Sequence, residues 1–202
     1  MIAIIDYGVG NLRSVQKAFE FLGHSVVISS DPKEISDSDA IVLPGVGAFP
    51  DAMESLKDKG LDIALVQAEN DGKPILGICL GMQLLFDKGY EIRECDGLGF
   101  IKGSIRKLQS DVKIPHMGWN DIRKDNDCAL LKGIEEGSYV YFVHSFHAEL
   151  KDESNLNAST IYGGKVPAIV SKNNVFGIQF HPEKSSRAGF RLLRNFIDGH
   201  AC

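Results

Sequence analysis

The sequence lacks long hydrophobic runs, an excess of basic residues and any regular arrangement of cysteine. No window approaches the roughly 18 consecutive apolar residues of a membrane-spanning helix, so no membrane span is expected. The 22 Lys and Arg are outnumbered by 27 Asp and Glu, for a formal net charge of −5. That balance leaves no basic footprint for a nucleic-acid backbone. Cysteine occurs four times, at Cys79, Cys95, Cys128 and Cys202. These four form no CxxC pair and no metal-ligand spacing with histidine, so neither a disulfide framework nor a metal or cofactor site is expected. A reducing, cytoplasmic setting is the simplest reading of that usage. The opening MIAIIDYG meets an acid at its sixth position and has no basic n-region, which argues against a secretory signal peptide. Repeats, linkers and low-complexity segments are also missing. One domain over residues 1–202 is therefore expected.

The first ninety residues carry strong periodic signals. Residues 2–5 are a continuous apolar run that stops at Asp6 and a glycine-bearing loop. Leu12, Val15, Ala18, Phe19 and Leu22 then recur at helical spacing, and Gly23 closes the pattern. Further strands are expected at 25–29, 40–43 and 75–78, with a short helix between the first two of these. Two helical patterns fill 50–70, and another helix starts over 80–87. Continuous apolar strands alternating with helices predict a parallel sheet covered on both faces. In the second half strand signals dominate, at 105–107, 138–143, 158–162, 168–170 and 175–180. They predict an antiparallel extension of the same sheet or a small second sheet. A final helix is expected over 185–200, with Phe190, Leu193, Phe196 and Ile197 as its apolar stripe.

Gly77-Ile78-Cys79-Leu80-Gly81 follows the fourth strand and has the G-x-nucleophile-x-G form of a strand-to-helix elbow. A turn that sharp forces the central residue into a strained backbone conformation, and side chains two positions before and after it would collide. A cysteine placed there meets the positive end of the following helix, which favours a thiolate. Alternatively, Cys79 is a small buried core residue. A base decides between the two, and the best candidate is His181-Pro182-Glu183. Residues two apart in an extended chain share a face, so Glu183 can orient His181 as the third member of a triad does. An ordinary strand-end His-Glu pair has the same spacing. Pro44-Gly45-Val46-Gly47 after the third strand lets backbone amides approach a ligand closely, or is a plain turn. Gly8-Val9-Gly10 lacks the third glycine of a dinucleotide fingerprint, since Arg13 stands in its place. Among the other histidines, His24 reads as solvated, His116 as part of a loop and His200 as part of a fraying terminus, while His144 and His147 either line a site or, as the plainer reading, cap a strand. Cys95, Cys128 and Cys202 read as bystanders.

Taken together, Gly77-Ile78-Cys79-Leu80-Gly81-Met82-Gln83, Pro44-Gly45-Val46-Gly47 and His181-Pro182-Glu183 resemble the class I, triad-type glutamine amidotransferase family across nearly the whole chain. Asp6-Tyr7-Gly8-Val9-Gly10-Asn11-Leu12, Pro115-His116-Met117-Gly118-Trp119-Asn120 and Tyr141-Phe142-Val143-His144-Ser145-Phe146 resemble the branch of that family serving histidine biosynthesis. The resemblance implies a flavodoxin-like three-layer α/β fold with a mostly parallel central sheet. It implies that Cys79, His181 and Glu183 hydrolyse the side-chain carboxamide of glutamine through a thioester. Leu80, Gly45, Val46 and Gly47 become oxyanion candidates. Gln83, with the backbone at Ser145 and Phe146, becomes the candidate clamp for the α-groups of glutamine. The implied partner is a (β/α)8 cyclase subunit that receives ammonia, with Asn11, Trp119 and Lys184 as candidate interface residues. For these three the alternatives are an N-cap, core packing and a solvated charge. A cysteine peptidase or amidase, and a catalytically dead flavodoxin-like module, remain the rival readings.

Overall fold

The computed structural model describes residues 1–109 and 111–199. His200 and Cys202, noted above, lie outside the described residues. In chain order the strands are β1 Ile2–Ile5, β2 Val26–Ser29, β3 Ala40–Gly45, β4 Ile75–Cys79, β5 Phe86–Gly89, β6 Cys95–Asp96, β7 Ile101–Lys107, β8 His116–Asp121, β9 Arg123–Lys124, β10 Tyr139–His144, β11 Phe146–Leu150, β12 Leu156–Ile161, β13 Lys165–Lys172 and β14 Val175–Ile178. The helices are α1 Leu12–Phe21, α2 Pro32–Ser36, α3 Phe49–Asp58, α4 Leu61–Asn70, α5 Leu80–Leu84 and α6 Ser186–Asp198.

The main sheet has the order β2-β1-β3-β4-β14-β13-β12-β9. Its first five strands pair in parallel, and β13, β12 and β9 extend it antiparallel. Every residue of β1, β3, β4 and β14 is buried, because helices cover both faces. The two-residue period of a strand divides the core. Ala3, Ile5, Ile41 and Leu43 face one layer with Phe49, Leu56, Leu61 and Leu65 of α3 and α4. Ile2, Ile4, Val42 and Ile78 face the other with Val15 and Phe19 of α1 and Leu192, Leu193 and Phe196 of α6. This is the expected three-layer architecture.

The antiparallel extension is present, and so are separate small sheets, β10-β8 and β11-β7-β5-β6. Two local expectations fail. The helix after Cys79 ends at Leu84, and Phe86 begins a strand paired with Ile101. Residues 80 to 86 are all buried and apolar apart from Gln83, and such a run does not distinguish a helix from a strand. The stretch from His116, read as a loop, is β8. It pairs antiparallel with β10, His116 opposite His144. Its inward residue is a histidine, so the alternation of apolar and polar residues that marks a strand is missing.

Parallel strands end on one edge of a sheet. The residues after β1, β3, β4 and β14 therefore meet there although they are far apart in sequence, and a ligand site is expected on that edge.

Candidate active site

Cys79 ends β4 and precedes the first residue of α5, with φ 56° and ψ −112°. A non-glycine residue in that region carries about 1–3 kcal/mol of strain and marks a position fixed by its surroundings. The glycines on either side are sterically required. A methyl on Gly77 would stand 2.6 Å from the Gly81 carbonyl oxygen, and one on Gly81 would overlap the Leu43 carbonyl oxygen in β3. The turn leaves Cys79 buried but facing a cavity of about 330 Å³. Its thiol donates to the Val143 carbonyl oxygen at 3.8 Å.

His181 lies just beyond β14 and lines the same cavity. Its Nδ1 is 3.0 Å from Glu183 Oε1, and the Glu183 side chain is 1% exposed. The ring is held in place from behind. The backbone N–H of His181 donates to the Tyr141 carbonyl at 2.9 Å, and the Ser185 hydroxyl donates to the His181 carbonyl at 2.6 Å. Nε2 is buried and, with Nδ1 taken by Glu183, is the ring nitrogen left for Cys79. Burial opposes charge on His181. Interaction with Cys79 and Glu183 outweighs it and raises the pKa to about 9. The site thus favours an imidazolium beside sulfur.

Val46, Gly47, Leu80, Gln83, Ser145 and Phe146 line the cavity with Cys79 and His181. Gly45 stands behind it, paired in register with Cys79. The Tyr7 hydroxyl donates to the Pro44 carbonyl at 2.8 Å. Burial, reinforced by the Cys79 sulfur, pushes that hydroxyl well above its usual pKa. Among the described residues, no group of three or more His, Cys, Asp or Glu could hold a metal ion.

Residues 3–199 match the family described as glutamine amidotransferase class-I. The chain belongs to that family. Two relatives named imidazole glycerol phosphate synthase subunit HisH, from Bacillus cereus and Bacillus mycoides, are each 53% identical over 196 residues, covering 97% of this chain and 93% of theirs. The structure of PurLQS from Thermotoga maritima superposes with a TM-score of 0.77 at 24% identity, covering 98% of this chain and 97% of that one. At that identity the likeness speaks to the fold alone.

Of the two readings open for His144, a strand-end cap or a site-lining residue, the structure of this amidotransferase gives the second: it lines the cavity. Its Nδ1 is 2.9 Å from the Phe146 carbonyl and its Nε2 is 3.0 Å from His116 Nδ1. A carbonyl only accepts, so His144 Nδ1 carries the proton, Nε2 accepts, and His116 Nδ1 is the donor. Burial lowers the pKa of His116 to about 4 and that of His144 to about 3, so both rings are neutral near pH 7. Gln179 and Glu91 are further residues around the cavity that carried no local signal, and Pro115, from the segment 115–120 noted above, lines it too. His24 is half-buried, and Cys95 and Cys128 are free and half-buried, away from the cavity lining.

The three interface candidates all lie at the surface of the amidotransferase. Asn11 occupies the N-cap position of α1 but makes no capping hydrogen bond with its side chain. Trp119 is 52% exposed, which removes the core-packing alternative. It meets Tyr141 edge-on at 6.0 Å, and the exposed Lys184 places its Nζ 6.0 Å from the centre of the same ring. Among the described residues, no helix is long and apolar enough to cross a membrane.

Proposed function

We propose that this chain is the glutaminase subunit of an imidazole glycerol phosphate synthase, folded as a single amidotransferase domain over residues 1–202 and acting in the cytoplasm. The subunit assignment rests on 53% identity to proteins of that name over nearly the full chain. The chemistry rests on one observation: a cysteine held at φ 56° shares a cavity with a histidine backed by a buried carboxylate.

Cys79 Sγ attacks the side-chain carbonyl carbon of glutamine, with His181 holding the thiol proton. As the tetrahedral adduct collapses, His181 gives that proton to the leaving ammonia. Water activated by the now neutral ring then cleaves the γ-glutamyl thioester and releases glutamate. Glu183 holds Nδ1–H and stabilises the imidazolium. An amide is a poor electrophile, so developing charge on oxygen needs donors, each worth about 2.7–4 kcal/mol. The Leu80 N–H at the start of α5 and an N–H of the Gly45–Val46–Gly47 loop fill that role. Gln83 and the backbone of Ser145 and Phe146 hold the α-amino and α-carboxylate groups. Ammonia loses its nucleophilicity when protonated in water, so the subunit delivers it to a (β/α)8 cyclase subunit docked over Asn11, Trp119 and Lys184. Turnover by the free subunit is low until that partner docks.

A glutamine-mimicking electrophile tests the chemistry. It is expected to label Cys79 in the native chain and to fail in C79S. Labelling at another cysteine, or cleavage of peptides with none of glutamine, overturns the reading. The partner is tested by mixing with a purified cyclase subunit. A stable complex with stimulated glutamine turnover is expected, and no complex at micromolar concentration refutes it.

A further inference from the structure

Gln179 follows β14 directly, two residues before His181, and is 0% exposed. Both ends of its carboxamide are engaged. Gln83 Nε2 donates to the Phe146 carbonyl at 3.0 Å and to Gln179 Oε1 at 3.0 Å. The order of atoms follows from chemistry alone. The Phe146 carbonyl only accepts, so the Gln83 atom beside it is the NH2. The Gln179 atom facing that NH2 is therefore the oxygen, and the other end of Gln179 is an NH2. That NH2 lies 3.9 Å from Cys79 Sγ. The other partner of the thiol, the Val143 carbonyl, suits S–H and repels S⁻. An ionised sulfur loses the Val143 contact and keeps the Gln179 donor.

We propose that Gln179 is a further catalytic residue: its Nε2–H donates to the Cys79 thiolate, while its Oε1 fixes the orientation of the Gln83 carboxamide. One buried side chain thereby sets both the nucleophile and the glutamine clamp. With both Gln83 Nε2 hydrogens used, Gln83 Oε1 is left as the acceptor for the substrate ammonium. The inference rests on the reading of Cys79 as the nucleophile. The titratable groups facing the sulfur are His181, with Glu183 behind it, and Tyr7 from the loop after β1; His144 of β10 stands beside His181.

The test is the pH profile of Cys79 alkylation by iodoacetamide in the full chain, located by mass spectrometry. In Gln179→Met, which keeps the length and removes the donor, the midpoint of the profile is expected to rise by about one pH unit. That is a tenfold lower thiolate fraction below the midpoint. Gln179→Leu also removes the donor and introduces no charge beside the sulfur. Its midpoint is expected to rise as far, and it carries the test if the Met variant does not fold. A merely structural Gln179 would weaken glutamine turnover and leave both profiles at the native midpoint, which overturns the proposal. Native protein that resists alkylation at Cys79 overturns the nucleophile reading instead.

Discussion

Replacing Gly77 by alanine isolates the steric argument for the elbow. The added methyl would stand 2.6 Å from the Gly81 oxygen and 2.7 Å from the Gly81 carbonyl carbon and the Met82 Cα. All three are backbone atoms of α5, so no side chain can swing away. Relief to an ordinary contact of about 3.4 Å requires the first turn of α5 to move by about 0.8 Å relative to β4. That turn is itself packed against β3 through Gly81. Overpacking of this kind costs about 1–3 kcal/mol, and a misplacement near 1 Å at a reacting centre costs about 100-fold in rate. Gly77→Ala is therefore expected to lose about 2–3 kcal/mol in urea denaturation and about 100-fold in glutaminase kcat, measured with the cyclase partner present. Gly164→Ala is the control. Its methyl would face only the flexible end of Gln109 at 3.7 Å, and it should stay within about 0.5 kcal/mol of the parent or gain slightly. A Gly77→Ala protein with native stability and turnover would refute the claim that the glycines exist to make room for the bend.

Acid should destabilise the fold through the histidine pair. His116 and His144 bind protons in the unfolded chain below about pH 6.5, but in the folded one only near pH 4 and 3. The unfolded state therefore takes up more protons, and stability falls by on the order of 2–4 kcal/mol between about pH 7 and 5. Urea midpoints across that range check this, and a flat profile refutes it; the raised His181 offsets a minor part of the fall, because its contribution grows as pH drops from about 9 towards 6.5 and is complete only below that. Glu183→Gln should lower kcat by about 100-fold to 10,000-fold and move the alkaline limb of the kcat profile down from near 9, since the carboxylate no longer favours the imidazolium. An unmoved limb would detach Glu183 from His181. Trp119→Ala should weaken cyclase binding by about 2 kcal/mol or more while leaving Cys79 alkylation and thermal stability unchanged. Unaltered affinity by titration calorimetry would remove Trp119 from the interface.

Features whose physics is confined to a few adjacent residues could be read from the sequence. Two glycines flanking Cys79 report a local clash. The nearness of His181 and Glu183 was legible in their i, i+2 spacing but not its geometry, because Pro182–Lys184 forms a 3-10 turn and not the extended strand expected; the apolar runs of β1, β3 and β4 report burial on both sides. What escaped depends on pairing across the chain. The His116–His144 contact needs the antiparallel register of β8 and β10, 28 residues apart. Gln179 sits in a run that reads only as strand, and its role needs Gln83 and Cys79, 96 and 100 residues away. β8 was missed for the same reason. Its buried residue is polar and is satisfied by a partner that no local window contains.

The end of β3, which runs through Pro44 and Gly45, and the loop after it show how such distant contacts divide a short segment into fixed and free parts. Tyr7 grips the Pro44 carbonyl. A side chain on Gly45 would press on the Tyr7 hydroxyl, the Gly81 nitrogen and the Leu80 Cβ, so the backbone there is wedged between the loop after β1 and the elbow. Two residues later the constraint is gone: Gly47 has φ 101° and open space where a side chain would be. Rotation of a peptide group near the sulfur is therefore confined to Val46 and Gly47, at the cavity wall. Gly10 approaches the Gly45 nitrogen to 3.8 Å measured from an added methyl, and Asn11 follows it on the surface. A partner bearing on Asn11 would thus push against the anchored end of β3, and the residues with freedom to turn are the two at the cavity wall.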